Sequence, residues 1–93
     1  MIETIDLNND FKLYFEKLPR TIKLVISKNN EECVCRKEKL KNLFSFTKAD
    51  KENLFKGRLQ LRKSDGKIDI QVKNELIGTV SNEAFKEALS NLK

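Results

Sequence analysis

The sequence predicts a small α+β domain: a mainly antiparallel sheet of about five strands, with an N-terminal and a C-terminal helix packed on one face. Three features lead there. Apolar and polar residues alternate with unusual regularity from Gly57 to Val80, apolar residues fall at helical spacing near each end, and short turns rich in Asn, Asp and Gly separate the alternating runs. At 93 residues, the chain is expected to form one domain over 1–93 around one core.

In order along the chain, Phe11, Tyr14, Phe15 and Leu18 follow the i, i+3, i+4, i+7 spacing of one helical face, and Asn9 or Asp10 can cap its start. Pro19 stops the segment, because it restricts the preceding residue and cannot donate the next backbone bond; a helix is predicted over about 9–17. Next, "TIKLVIS" places Ile22, Leu24 and Ile26 on one side of a strand over 21–27. Asn29 and Asn30 tolerate positive φ and suit a tight reversal into a second strand over 32–36.

Residues 37–56 read two ways. Leu40, Leu43 and Phe44 fit a short helix, whereas "LFSF" alternates as a strand does; a strand or irregular segment is the favoured reading. "TKADKEN" is read as an exposed connection, with Thr47 as a candidate cap. The pattern then clears. Leu59 and Leu61 define a strand over 57–63, "SDG" turns the chain, and Ile68, Ile70 and Val72 define a strand over 67–73. A third strand follows over 76–80. Ser81 can cap a final helix over 82–92, whose apolar face is Phe85, Ala88, Leu89 and Leu92. No internal repeat is evident in the residue pattern. Strand, strand, strand and capped helix is an arrangement shared by many small α+β modules, single-strand-binding and transcription-cofactor types among them, by architecture alone.

The net charge of +5 is unevenly placed. Residues 36–73 hold twelve basic against five acidic residues, a local excess of +7, while the segments on either side are each at −1. If Leu59, Leu61, Ile68, Ile70 and Val72 face inward, then Arg58, Gln60, Arg62, Lys67, Asp69, Gln71 and Lys73 face outward. Lys23 joins them if its strand belongs to the same sheet. Arginine, lysine and glutamine on one surface can hold phosphates and donate to bases. The candidate nucleic-acid-binding residues are therefore Arg58, Gln60, Arg62, Lys67, Gln71 and Lys73, supported by Arg36, Lys37, Lys39 and Lys41. A solvated face that discourages edge-to-edge aggregation is the plainer reading of the same residues. No aromatic lies on the outward side, and Phe44, Phe46 and Phe55 are assigned to the core, so backbone contact is expected rather than base stacking.

Other chemistries are excluded more directly. With no histidine, the chain lacks the commonest general base and zinc ligand, and no Ser/His or Cys/His pair can form. Cys33 and Cys35, one residue apart, are too few for a zinc site and too close for an ordinary disulfide; they read as buried or half-buried strand residues in a reducing compartment. No glycine-rich phosphate loop occurs, and adjacent carboxylates such as Glu31 and Glu32 fall in a predicted turn rather than a buried site. No catalytic residue, metal or cofactor is expected. No apolar run approaches the roughly 20 residues of a membrane span, and the polar, acidic start "MIETIDLNND" is unlike a signal peptide, so a cytoplasmic location is expected. Two functions stay in view: a non-enzymatic module contacting nucleic-acid phosphates, or a protein-interaction, inhibitor or homodimerising module that meets an acidic partner or its own copy, of a kind frequent in phage and mobile elements.

Overall fold

The computed structural model describes residues 2–93. Four strands and a helix occur twice in succession: β1 (Ile2–Asp6), β2 (Phe11–Lys17), β3 (Ile22–Lys28), β4 (Glu31–Glu38) and α1 (Leu40–Lys48), then β5 (Lys51–Leu54), β6 (Leu59–Ser64), β7 (Lys67–Val72), β8 (Glu75–Ser81) and α2 (Asn82–Asn91). Each set of four strands forms its own antiparallel sheet, in the orders β1-β2-β3-β4 and β5-β6-β7-β8. The α+β class with antiparallel sheets and two helices agrees with the sequence. The single sheet of about five strands does not: there are two sheets of four.

The main correction lies at the N-terminus, where the segment predicted as a helix over 9–17 is strand β2. Its residues satisfy both periods at once. Phe11, Tyr14, Phe15 and Leu18 match a helical stripe, but Leu13 and Phe15 also alternate with Lys12, Tyr14 and Glu16, and it is Leu13 and Phe15 that are fully buried. Short segments rich in Phe and Tyr favour the pleated surface when neighbouring strands are there to pair. Asn9 (φ 56°) and Asp10 (φ 65°) are not a cap but the centre of the turn joining β1 to β2. The same left-handed pair recurs at Asn29–Asn30, Asp65–Gly66 and Lys73–Asn74. Two consecutive positive φ values match the right-handed twist of a hairpin, and Asn, Asp and Gly reach them at least cost.

The ambiguous segment 37–56 contains α1 and β5 instead of a strand or irregular chain. Leu43 and Phe46 bury one side of α1, and Thr47 lies in its last turn, buried, its hydroxyl donating to the Phe44 carbonyl at 2.6 Å rather than capping a start. The other boundaries fall within a few residues of expectation, and Ser81 caps α2 by accepting from the Ala84 N–H at 3.0 Å.

One apolar cluster unites both sheets and both helices. At its centre, the Phe85 ring of α2 meets Phe15 of β2 edge to face at 5.1 Å and Phe46 of α1 at 5.9 Å. Leu7, on the β1–β2 connection, packs over Gly78 so closely that a Cβ there would lie 3.2 Å from the Leu7 Cβ. Lys63 is the buried cation of the core edge. It shares the inward side of β6 with Leu59 and Leu61, and its ammonium donates to the Thr47 carbonyl at the C-terminal end of α1, which the Asn82 side-chain amide also reaches at 3.0 Å. A cation at that end meets the negative pole of the helix.

Candidate nucleic-acid interface

The inward and outward sides of β6 and β7 are as the alternation predicts. Leu59, Leu61, Ile68 and Ile70 are fully buried and Val72 nearly so, while Arg62 and Lys67 are exposed and Gln60 and Gln71 half-exposed. Register aligns the outer face into rows: Asn53, Arg62, Asp69 and Thr79 in one, Lys51, Ser64, Lys67 and Ser81 in another, and Gln60 beside Gln71. Asp69 stands directly opposite Arg62 and lowers the net charge of the face, but it forms no ion pair there. Its carboxylate accepts from the Thr79 hydroxyl at 2.7 Å, and the one ion pair among the described residues is elsewhere, between Lys23 and Glu32 at 3.9 Å.

The predicted residues gather most densely at one end of this sheet. The Lys73 N–H donates to the Arg58 carbonyl at 2.7 Å, which sets these two exposed cations side by side at the end nearest Gln60 and Gln71. Here β4 of the N-terminal sheet approaches the β5–β6 connection. Arg36 sits at the open edge of β4, where its guanidinium donates to the Lys56 carbonyl at 2.7 Å and lies over the Phe55 ring at 4.8 Å. Two open clefts flank this bridge. One, of about 420 Å³, is lined by Arg36, Lys56 and Arg58 together with Cys33, Cys35 and Glu32; the other, of about 410 Å³, by Arg36, Lys56, Phe55, Asn53, Gln60 and Glu38. Glu32 is the residue engaged by Lys23, leaving the three cations of the first cleft without ion-pair partners.

Phe55 holds φ 69°, a conformation rare for a large side chain and costing on the order of 1–3 kcal/mol. The Arg36 stack and hydrogen bond offset that cost by holding the connection in place. Such strain gathers where chain geometry serves a surface.

The remaining expected residues are placed less favourably. Lys67 lies at the opposite end of the sheet from Arg58. Lys37 projects from the outer side of the N-terminal sheet, directly opposite Lys23, so Lys23 belongs to that sheet and not to the basic face. Lys39 precedes α1 and Lys41 is in its first turn, where Glu38 accepts from the Lys39 N–H and the Asn42 side chain at 2.8 Å each. Cys33 and Cys35 are both exposed, against expectation: β4 is an edge strand, and a bulge displaces Cys33 from the pairing. Lys56 and Asn53 are not among the expected residues, and Phe55, assigned to the core, packs half-buried against it while also lying under Arg36. Lys56 was visible within the basic run, but nothing in the residue pattern brings residue 36 to residue 56.

Among the described residues, no three Cys, Asp or Glu side chains converge as metal ligands, and no helix is long and apolar enough to cross a membrane. No match to the chain is found among family models, curated proteins or solved structures.

Proposed function

We propose that the protein is a non-enzymatic module that binds the phosphate backbone of nucleic acid along the cleft between β4 and the β5–β6 connection, continuing over the outer face of the C-terminal sheet. The observation that carries this reading is the convergence of Arg36, Lys56 and Arg58 on one cleft with no carboxylate within ion-pair distance of any of them. Unneutralised cations lining a concavity focus the field there and attract a polyanion. Arg62, Lys67 and Lys73 extend the track across the sheet, while Gln60, Gln71 and Asn53 offer donors and acceptors to sugar or base edges. The Arg36 guanidinium, which lies over the Phe55 ring, is a planar cation of the kind on which a base can stack.

Fluorescence anisotropy of labelled single-stranded DNA, duplex DNA and RNA, each titrated at low and at physiological salt, tests this reading. Binding that persists at physiological salt supports it, and the preferred polymer names the substrate. Binding confined to low salt reduces the cations to a solvated surface and redirects attention to an acidic protein partner.

A further inference from the structure

We propose that the outer face of the β1–β4 sheet, which borders the basic cleft at Glu32 and Cys35, is a contact surface for a second copy of this chain. Register places three rows across it: Thr4, Tyr14, Val25 and Cys35 in the middle, Ile2, Glu16, Lys23 and Lys37 on one side, and Asp6, Lys12, Ser27 and Glu32 on the other. The middle row is the least polar, with Tyr14 and Val25 half-buried at its centre. The outer rows hold Lys12, Lys23 and Lys37 against Asp6, Glu16 and Glu32, so this face of a +5 chain carries no net charge.

The charges are also arranged to complement themselves. A two-fold axis running along the middle row lays each strand antiparallel over its own copy and exchanges the two outer rows. Glu16 then faces Lys12 of the second copy, and Lys37 faces its Glu32, each contact occurring twice. Within one chain, Lys23 and Lys37 are directly opposed like charges; Lys23 is engaged by Glu32 of its own chain, while Lys37 has no ion-pair partner among the described residues, a lack that a carboxylate from the second copy would supply. The area sets the strength. Four strands about 4.8 Å apart and about six residues long cover about 400 Å². This is roughly half of the ~800 Å² each partner gives to a standard interface, so dissociation is expected in the micromolar range or weaker.

Sedimentation analysis of the full chain over a concentration series up to the millimolar range measures the association. Lys37→Glu places opposite charges across β3 and β4, so it leaves the fold intact by circular dichroism. Across the interface the same change sets the introduced carboxylate against Glu32 of the second copy and weakens the dimer about tenfold. Glu32→Lys combined with Lys37→Glu restores it. Cys35 lies on the axis and faces its own copy. Packed sheets sit about 10 Å apart, beyond the roughly 4.4–6.8 Å Cα separation of a disulfide, so a short bismaleimide should link the two copies where oxidation does not. Cys33→Ser should keep that link and Cys35→Ser abolish it. A chain monomeric at every concentration, a dimer indifferent to Lys37→Glu, or a link through Cys33 overturns the proposal. So does a monomer in which Tyr14→Ala weakens nucleic-acid binding, which would assign the face to that ligand.

Discussion

Replacing Phe85 tests whether the two sheets share one cooperative core. Its ring is fully buried and meets Phe15 of the N-terminal sheet at 5.1 Å and Phe46 of α1 at 5.9 Å, so it couples α2 to the other half of the chain. Truncation to alanine costs about 3–5 kcal/mol. A domain of this size is held by about 5–10 kcal/mol, so Phe85→Ala is expected to leave a partly unfolded population. Phe85→Leu is the more informative change, because it keeps most of the apolar volume and removes two edge-to-face contacts worth about 0.5–1.5 kcal/mol each. A loss of about 2 kcal/mol follows. At about 4–8 °C per kcal/mol, Tm should fall by about 8–16 °C. Tyr14, the single tyrosine in a chain without tryptophan, reports on the N-terminal sheet by fluorescence, and far-ultraviolet circular dichroism reports on both halves. In urea, the two signals should shift together with an unchanged slope. A Phe85→Leu protein within about 0.5 kcal/mol of the parent, or two separate transitions, would refute the shared core.

Three further outcomes follow from the geometry. Lys63→Met should cost only about 1 kcal/mol, since the Asn82 amide still reaches the Thr47 carbonyl; combined with Asn82→Ala it should cost more than the sum of the single changes in a denaturation cycle, because that carbonyl then loses both donors. Gly66→Ala should destabilise by about 1 kcal/mol in thermal melts through backbone strain alone, as φ is +76° and no atom lies within 4 Å of the added carbon. Arg62→Ala should leave the melting curve nearly unchanged, because the side chain is exposed and without an ion pair, while lowering the salt slope of nucleic-acid binding by about one.

The C-terminal half was the more legible in the sequence because its patterns were unambiguous: "LQLR" and "KIDIQV" alternate cleanly, and Ser81 precedes a helical stripe whose Phe85 and Leu89 are buried. The N-terminal half was not, for a physical reason. In "FKLYFEK" the helical and strand periods coincide over seven residues, and the choice is settled by β1 and β3, which supply partners that the local pattern does not reveal. "KLKNLFSFTK" failed in the opposite direction. Phe44 and Phe46 alternate, but Leu43 and Phe46 bury together on one side of a helix. The doubled order of four strands and a helix corrects the reading of no internal repeat: at one constant spacing the buried Leu13, Ile22, Val34 and Leu43 recur as Leu59, Ile68, Val80 and Leu89, whereas the exposed positions between them differ and hide the match. The basic face was legible strand by strand, whereas the cleft was not: it depends on β4 of one sheet meeting the β5–β6 connection of the other.

The central claim is that the cleft cations hold phosphates, and the salt dependence of binding tests it most directly. Arg36, Lys56, Arg58, Arg62, Lys67 and Lys73 make six possible phosphate contacts, for which log Kd should change with log salt by about 4 on a single strand and about 5 on a duplex. Lys56→Ala with Arg58→Ala, two exposed positions, should reduce that slope by about 1.5–2 and leave the melting curve unaltered. An unchanged slope and affinity in the double variant, with the fold intact, would contradict the assignment of the cleft.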